Sequence, residues 1–238
     1  MIFNMGRSSR GELNDSSQQT SNGKKLHELI TSWVGAVVGA AALTLSIFNS
    51  IALNKKPDVD IALPHVVRIR QLAWGTELYI QPALHTRTTT ERSEVIKQVE
   101  LRLRPAKAGG PGPAFFWNEI SSLAADPNPN SRYWYIVKYL ADPTPLLVNK
   151  NRPQLPTLQF AARNWAFPEG RYEGSLILQR ASEQGPLTQN FCLFISRDAV
   201  TDIRSDPSWL HDFRDNVPGK QRTDSKGCYV LNPLARPS

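Results

Sequence analysis

Only two cysteines, Cys192 and Cys228, and four histidines occur in the 238 residues. A structural zinc site takes about four sulfur or imidazole ligands at short spacings, and His27, His65, His85 and His211 show no such spacing. No metal site is therefore indicated. Two cysteines leave two readings open: one disulfide in an oxidising compartment, or a pair of buried thiols. Phosphate cradles are missing as well, since neither a Walker loop nor Gly-x-Gly-x-x-Gly occurs. Gly109-Gly110-Pro111-Gly112 is rich in glycine, but proline removes an amide donor that such a cradle needs. No cofactor is indicated.

Nucleophilic catalysis is equally unmarked. Gly-x-Ser-x-Gly is absent, and neither cysteine has the neighbours that activate a thiol. His211 and Asp212 are adjacent, but neighbours in a short helix point in different directions, which makes a surface histidine the expected reading. Asp198, Asp202 and Asp206 would share one helical face, yet they lack the glycine turn and dense oxygen ligands of a calcium loop. Interleaved with Arg197 and Arg204, they read as a solvated face. No dense basic run occurs either. The net charge of +7 divides into +3 before Pro57 and +4 from Pro57 onward, so nucleic-acid binding is not indicated.

Charge is missing altogether from Leu29 to Asn54, LITSWVGAVVGAAALTLSIFNSIALN. A helix rising about 1.5 Å per residue crosses a hydrocarbon core of about 30 Å in roughly 20 residues. In lipid the backbone must satisfy its own hydrogen bonds, which a helix does. One transmembrane helix over 30–53 follows, with the bilayer as its solvent. Gly35, Ala36, Gly39 and Ala40 form a small-residue face on which a second helix can pack, giving a route to a homo-oligomer. Ser50-Ile51-Ala52 has the small-x-small spacing of a cleavage site. The segment ahead of it is too long and the apolar run exceeds the roughly 7–15 residues of a signal peptide, so an uncleaved signal-anchor is expected. Residues 1–29 are polar, without periodicity, and read as a disordered tail. Basic residues flank the helix on both sides, so the expected orientation rests on layout: a short cytosolic tail and a large extracytoplasmic domain.

From Pro57 to Ser238 short alternating apolar runs recur between proline, glycine and asparagine clusters. Val95, Val99, Leu101 and Leu103 oppose Gln98, Glu100, Arg102 and Arg104, the clearest period of two. Tyr133–Leu140 is apolar on both faces, as a central strand would be. About eight strands are expected. Asn118–Ala125 reads as two helical turns, and Asp206-Pro207 as the start of a short helix over Ser208–Arg214. Phe167-Pro168-Glu169-Gly170-Arg171-Tyr172, followed by GSLILQ, resembles the turn and strand of many immunoglobulin-like and fibronectin-like domains. That resemblance covers about a dozen residues and implies an immunoglobulin-like antiparallel β-sandwich; no activity transfers with it.

These features predict a membrane-anchored binding or structural module, a subunit of a membrane or envelope assembly with a protein partner. Two alternatives are a tethered enzyme acting on an envelope polymer, and a cytosolic sensor domain coupled to the helix. Exposed tryptophans anchor partners well. Trp117, Trp134 and Trp165, with Arg102 and Arg104 on an outer strand face, are the expected partner-binding residues.

Overall fold

The computed structural model describes residues 16–87, 92–107, 112–126, 135–150, 153–218 and 225–232. They fall into two separate units, 1–53 and 54–238.

The first unit holds one helix, α1 (Ser16–Leu53). Its backbone is helical ahead of the expected start at Ile30, and residues 1–15 of the expected tail lie outside the described residues. Thr31–Leu53 is a 23-residue stretch of mean hydropathy 1.9, none of it buried against protein. At about 1.5 Å per residue it is long enough to cross a bilayer. Trp33, Val37, Leu43, Ile47 and Phe48 stand fully in the open, an arrangement that water penalises and hydrocarbon does not. Thr44 satisfies its hydroxyl by donating to the Ala40 carbonyl at 2.8 Å, so that hydrogen is paired within the helix.

The second unit is built from β-strands. In chain order they are β1 (Val59–Ala62), β2 (Val66–Leu72), β3 (Gly75–Ile80), β4 (Ala83–Thr86), β5 (Glu94–Pro105), β6 (Phe116–Ala125) and β7 (Tyr135–Ala141). There follow β8 (Leu146–Val148), β9 (Thr157–Arg163), β10 (Gly170–Arg180) and β11 (Leu187–Ile195), a helix α2 (Arg197–Ser205), and then β12 (His211–Arg214) and β13 (Tyr229–Leu231). Eleven strands form one continuous sheet in the order β7-β6-β9-β3-β2-β12-β13-β11-β10-β5-β8, and β1 pairs with β4 beside it. The domain is therefore all-β, as the alternating pattern predicts. The hydrogen bonds describe a curled half-barrel of eleven strands with the two-stranded β1–β4 pair as a separate sheet.

Period two sorts the side chains. Val67 and Ile69 of β2, Leu78 and Ile80 of β3, Leu158 and Phe160 of β9, and Leu101 and Leu103 of β5 all enter one core. Leu176 and Leu178 of β10 and Leu193 and Ile195 of β11 complete it. Val95 departs from the expected face. The register pairs Gln179 with Gln98 but Arg180 with Ile96, so an extra residue at Lys97 shifts the alternation and buries Ile96 instead.

Three local expectations are corrected. The two helical turns at Asn118–Ala125 are instead strand β6, because that segment pairs on both sides, with β9 and β7. The helix expected over Ser208–Arg214 lies earlier, at α2. Ser196 caps α2 by accepting from the Ala199 amide at 3.1 Å, Ala199 and Ile203 are buried, and Asp206 is the C-cap. Pro207 thus follows a helix end rather than opening a helix. The central strand expected at Tyr133–Leu140 is β7, which ends the sheet and leaves Tyr139 and Leu140 exposed.

β13 joins the two halves of the sheet. It is three residues long, pairs in parallel with β11 through Leu193–Tyr229 and Phe194–Val230, and pairs antiparallel with β12. A disulfide between Cys192 and Cys228 staples this seam, with Cα atoms 4.6 Å apart.

Candidate functional site

The turn between β2 and β3 places Arg70 opposite Glu77 and Arg68 opposite Tyr79. Since Val67, Ile69, Leu78 and Ile80 point into the core, these four polar side chains share the other face of the sheet. That face is not solvated. Glu77 is 4 % exposed and Tyr79 2 %.

Burying a carboxylate and a guanidinium is tolerable only if both are paired and hydrogen-bonded. Arg70 Nε donates to Glu77 Oε2 at 2.7 Å, and its Nη2 donates to the Tyr79 hydroxyl at 2.7 Å. The hydroxyl in turn donates to Glu77 Oε2 at 2.7 Å. Burial, and then the Glu77 charge, push the Tyr79 phenol far above its ordinary value, so it stays a neutral donor. Further polar groups flank this triad on both sides. Arg68 Nε lies 2.9 Å from Asp212 Oδ1, though misaligned for a hydrogen bond, and Arg214 approaches the other carboxylate oxygen. Beyond Tyr79 sits Gln159, and Ser121 donates to Glu119 at 2.5 Å.

Curvature explains the burial. β7 and β2 are separated in the sheet by β6, β9 and β3, yet the Tyr135 ring centroid lies 5.0 Å from the Arg68 guanidinium carbon. This part of the sheet wraps round its polar face. Where β7 arches over β2 there is a cavity of about 330 Å³, walled by Tyr135, Ile136, Val137, Trp209 and Leu210. Arg70, Asp126 and Ser208 supply its polar lining. Such a site suits an apolar side chain with a polar tip. Beside it, β7 is the last strand of the sheet, and among the described residues its outer edge pairs with no other strand. An edge of this kind is a template for strand addition.

The residues singled out from the sequence do not converge. Trp117 packs against the core and donates from its indole nitrogen to the Glu119 carbonyl at 3.2 Å. Trp165 also packs against the core; its carbonyl accepts from Thr76 and Gln71. Trp134 lies outside the described residues. Arg102 and Arg104 stand exposed on the outer face of β5, Arg102 paired with Glu100 at 2.8 Å. Gly35 and Gly39 have open space around them, with exposed Ala36 and Ala40 alongside. His211 and Asp212 sit on strand β12, not on a helix, and alternate to opposite faces. His211 Nε2 lies 3.1 Å from the Asp206 carbonyl, while Asp212 turns to Arg68. They form no catalytic pair. Among the described residues no three His, Cys, Asp or Glu side chains gather in a metal-holding group.

Alternation places Arg68, Arg70 and Glu77 on one sheet face without stating whether that face is enclosed. One signal was present. Opposite charges placed symmetrically about the Ala73-Trp74 turn fall across from each other in a tight hairpin. Comparison with protein-family models, with curated proteins and with solved structures returned no match.

Proposed function

We propose that the protein is a membrane-anchored binding module, held by α1 and engaging a protein partner through the β7 edge and the cavity beside it. The observation that carries this reading is the pairing, in one chain, of an uncharged 23-residue apolar helix with a separately clustered β domain. Tethering raises the effective concentration of the domain for partners on the same membrane. An extended partner segment would add a strand to β7 and set one side chain in the cavity at Arg70. Arg102 and Arg104 offer a further charged surface, and the Gly35–Ala40 face a site for helix pairing.

The orientation that fits best places the β domain outside the cytosol. The Cys192–Cys228 bond supports it, since disulfides persist in oxidising compartments. An immunoglobulin-like reading of the domain has two supports: the β1–β4 pair lies over β11 and β8, and the Tyr172 hydroxyl donates back to the Pro168 carbonyl at 3.0 Å, in the manner of a tyrosine corner.

Proline scanning of β7 tests the partner reading. Successive amides of a strand point to opposite sides, so of Ile136→Pro and Val137→Pro one disrupts pairing with β6 and the other blocks only the free edge. In membranes carrying the full chain, the edge-blocking variant should keep the wild-type unfolding midpoint and lose its crosslinked partner. Retention of the same crosslinked product in both variants would exclude the edge. Protease added to intact cells or spheroplasts should digest the region after Pro57; protection of that region would instead favour the cytosolic sensor.

A further inference from the structure

A second concavity lies away from the cavity at Arg70. It is a groove of about 480 Å³ lined by Trp74, Phe116, Asn118, Arg163 and Asn164, and its volume falls in the roughly 300–1,000 Å³ range of small-molecule sites. Trp74 belongs to the β2–β3 turn, Phe116 opens β6, and Arg163 closes β9. Trp74 is 42 % exposed and Phe116 41 %, large apolar rings that the core does not use. The Arg163 guanidinium carbon lies 5.9 Å from the Phe116 ring centroid, and among the described residues no carboxylate pairs with it.

Two backbone irregularities aim asparagines at this groove. The β6–β9 register pairs Trp117 with Phe160 and Glu119 with Gln159, so Asn118 is a bulged residue, pushed out of the ladder and exposed. Bulges commonly re-aim side chains at sites. Asn164 has φ 52°, in the left-handed region that costs a non-glycine residue energy, and is the one non-glycine positive φ among the described residues. Its amide is fixed by donation to the Trp74 carbonyl at 2.9 Å.

We propose that this groove binds an anionic glycan. A pyranose ring presents an apolar C–H face and a rim of hydroxyls. The open indole of Trp74 covers the first, as amphipathic aromatics do at binding surfaces. Carboxamides donate and accept at once, which matches vicinal hydroxyls, and two of them flank the groove. Arg163, already seated over an aromatic face, offers a planar donor fork to a uronate carboxylate or a sulfate. A lipid surface would also accept Trp74 and Arg163, but burying Asn118 and Asn164 there would strip two amides of water without replacement. The proposal is independent of the β7 edge, and neither Trp74 nor Arg163 touches the cavity at Arg70.

The test uses the full chain in nanodiscs, applied to a printed array of neutral, carboxylated and sulfated oligosaccharides, with the best binder then titrated calorimetrically. Binding to carboxylated or sulfated members is expected. Trp74→Ala should weaken it by about tenfold or more. Arg163→Gln should cost a similar factor for the anionic sugars and leave neutral ones unchanged. Wild-type unfolding midpoints in both variants show that loss of binding is not loss of fold. No anionic binder on the array, or affinities that Trp74→Ala and Arg163→Gln leave untouched, overturns the proposal. In proteoliposomes with brominated acyl chains, Trp74→Phe should leave the quenching of tryptophan emission unchanged; a drop in quenching would place Trp74 in lipid and overturn it as well.

Discussion

Replacing both Cys192 and Cys228 with alanine removes the staple across the β13–β11 seam. The bond closes a chain loop of sequence separation 36, which contains α2 and β12. Loop-closure entropy for such a length corresponds to about 4 kcal/mol of destabilisation. Domains of this size are held by about 5–15 kcal/mol, so the loss is a large share of the total. The seam itself offers little else. β13 contributes only two paired residues to β11 and two to β12, and Cys228 is fully buried. With a urea slope of about 2 kcal/mol/M, the unfolding midpoint of the full chain in detergent should fall by roughly 2 M. Amides of Tyr229 and Val230 should exchange with solvent well before those of β10. Reductant should move the wild type to the midpoint of the double variant and leave the variant where it is. Equal midpoints for the two proteins, or two titratable thiols in the unreduced wild type, would refute the argument that this bond holds the halves of the sheet together.

Other expectations follow from the same geometry. The hydrogen bonds from Arg87, at 3.0 Å and 2.6 Å, hold the Asp60 carboxyl below its ordinary 3.8. A lowered folded pKa stabilises above the unfolded value, so this contribution is present above about pH 4 and disappears as pH falls below it, and Arg87→Ala should flatten the acid limb of a pH–stability curve. Burial raises the phenols of Tyr79, Tyr229 and Tyr172, the last to about 12. Their unfolded forms ionise near pH 10, so stability should fall as pH rises above that value, with Tyr172 giving tyrosinate absorbance only near pH 12 and Tyr79 and Tyr229 none until the domain unfolds. At Gly75, with φ +154°, an added Cβ would lie 2.2 Å from the Ala162 carbonyl oxygen. Gly75→Ala should therefore cost roughly 2 kcal/mol or more, read as a lowered melting temperature. Glu77→Gln should destabilise by about 2 kcal/mol, since it removes the charged partner of the half-buried Arg70, whereas Glu100→Gln on the exposed face should change stability by about 1 kcal/mol at most.

Composition and period were enough for part of this protein. An uncharged apolar run favours a helix long enough to cross a bilayer, so the helix over Thr31–Leu53 was legible from Leu29–Asn54 alone. Alternation marked the strands, and in β5 it assigned Val99, Leu101 and Leu103 to one face, which the assembled sheet turns into the core. Period two states which residues share a face. It does not state which face a curling sheet encloses. Arg68, Arg70, Glu77 and Tyr79 become interior only because β7 arches back over β2. Segments whose pairing partners are far along the chain were likewise undecided. β6 read as helix until β9 and β7 claimed its backbone, β7 read as central although nothing described flanks its outer edge, and three residues of β13 gained their importance from the strands on either side. Those outcomes depend on long-range hydrogen bonds, which only the assembled sheet supplies.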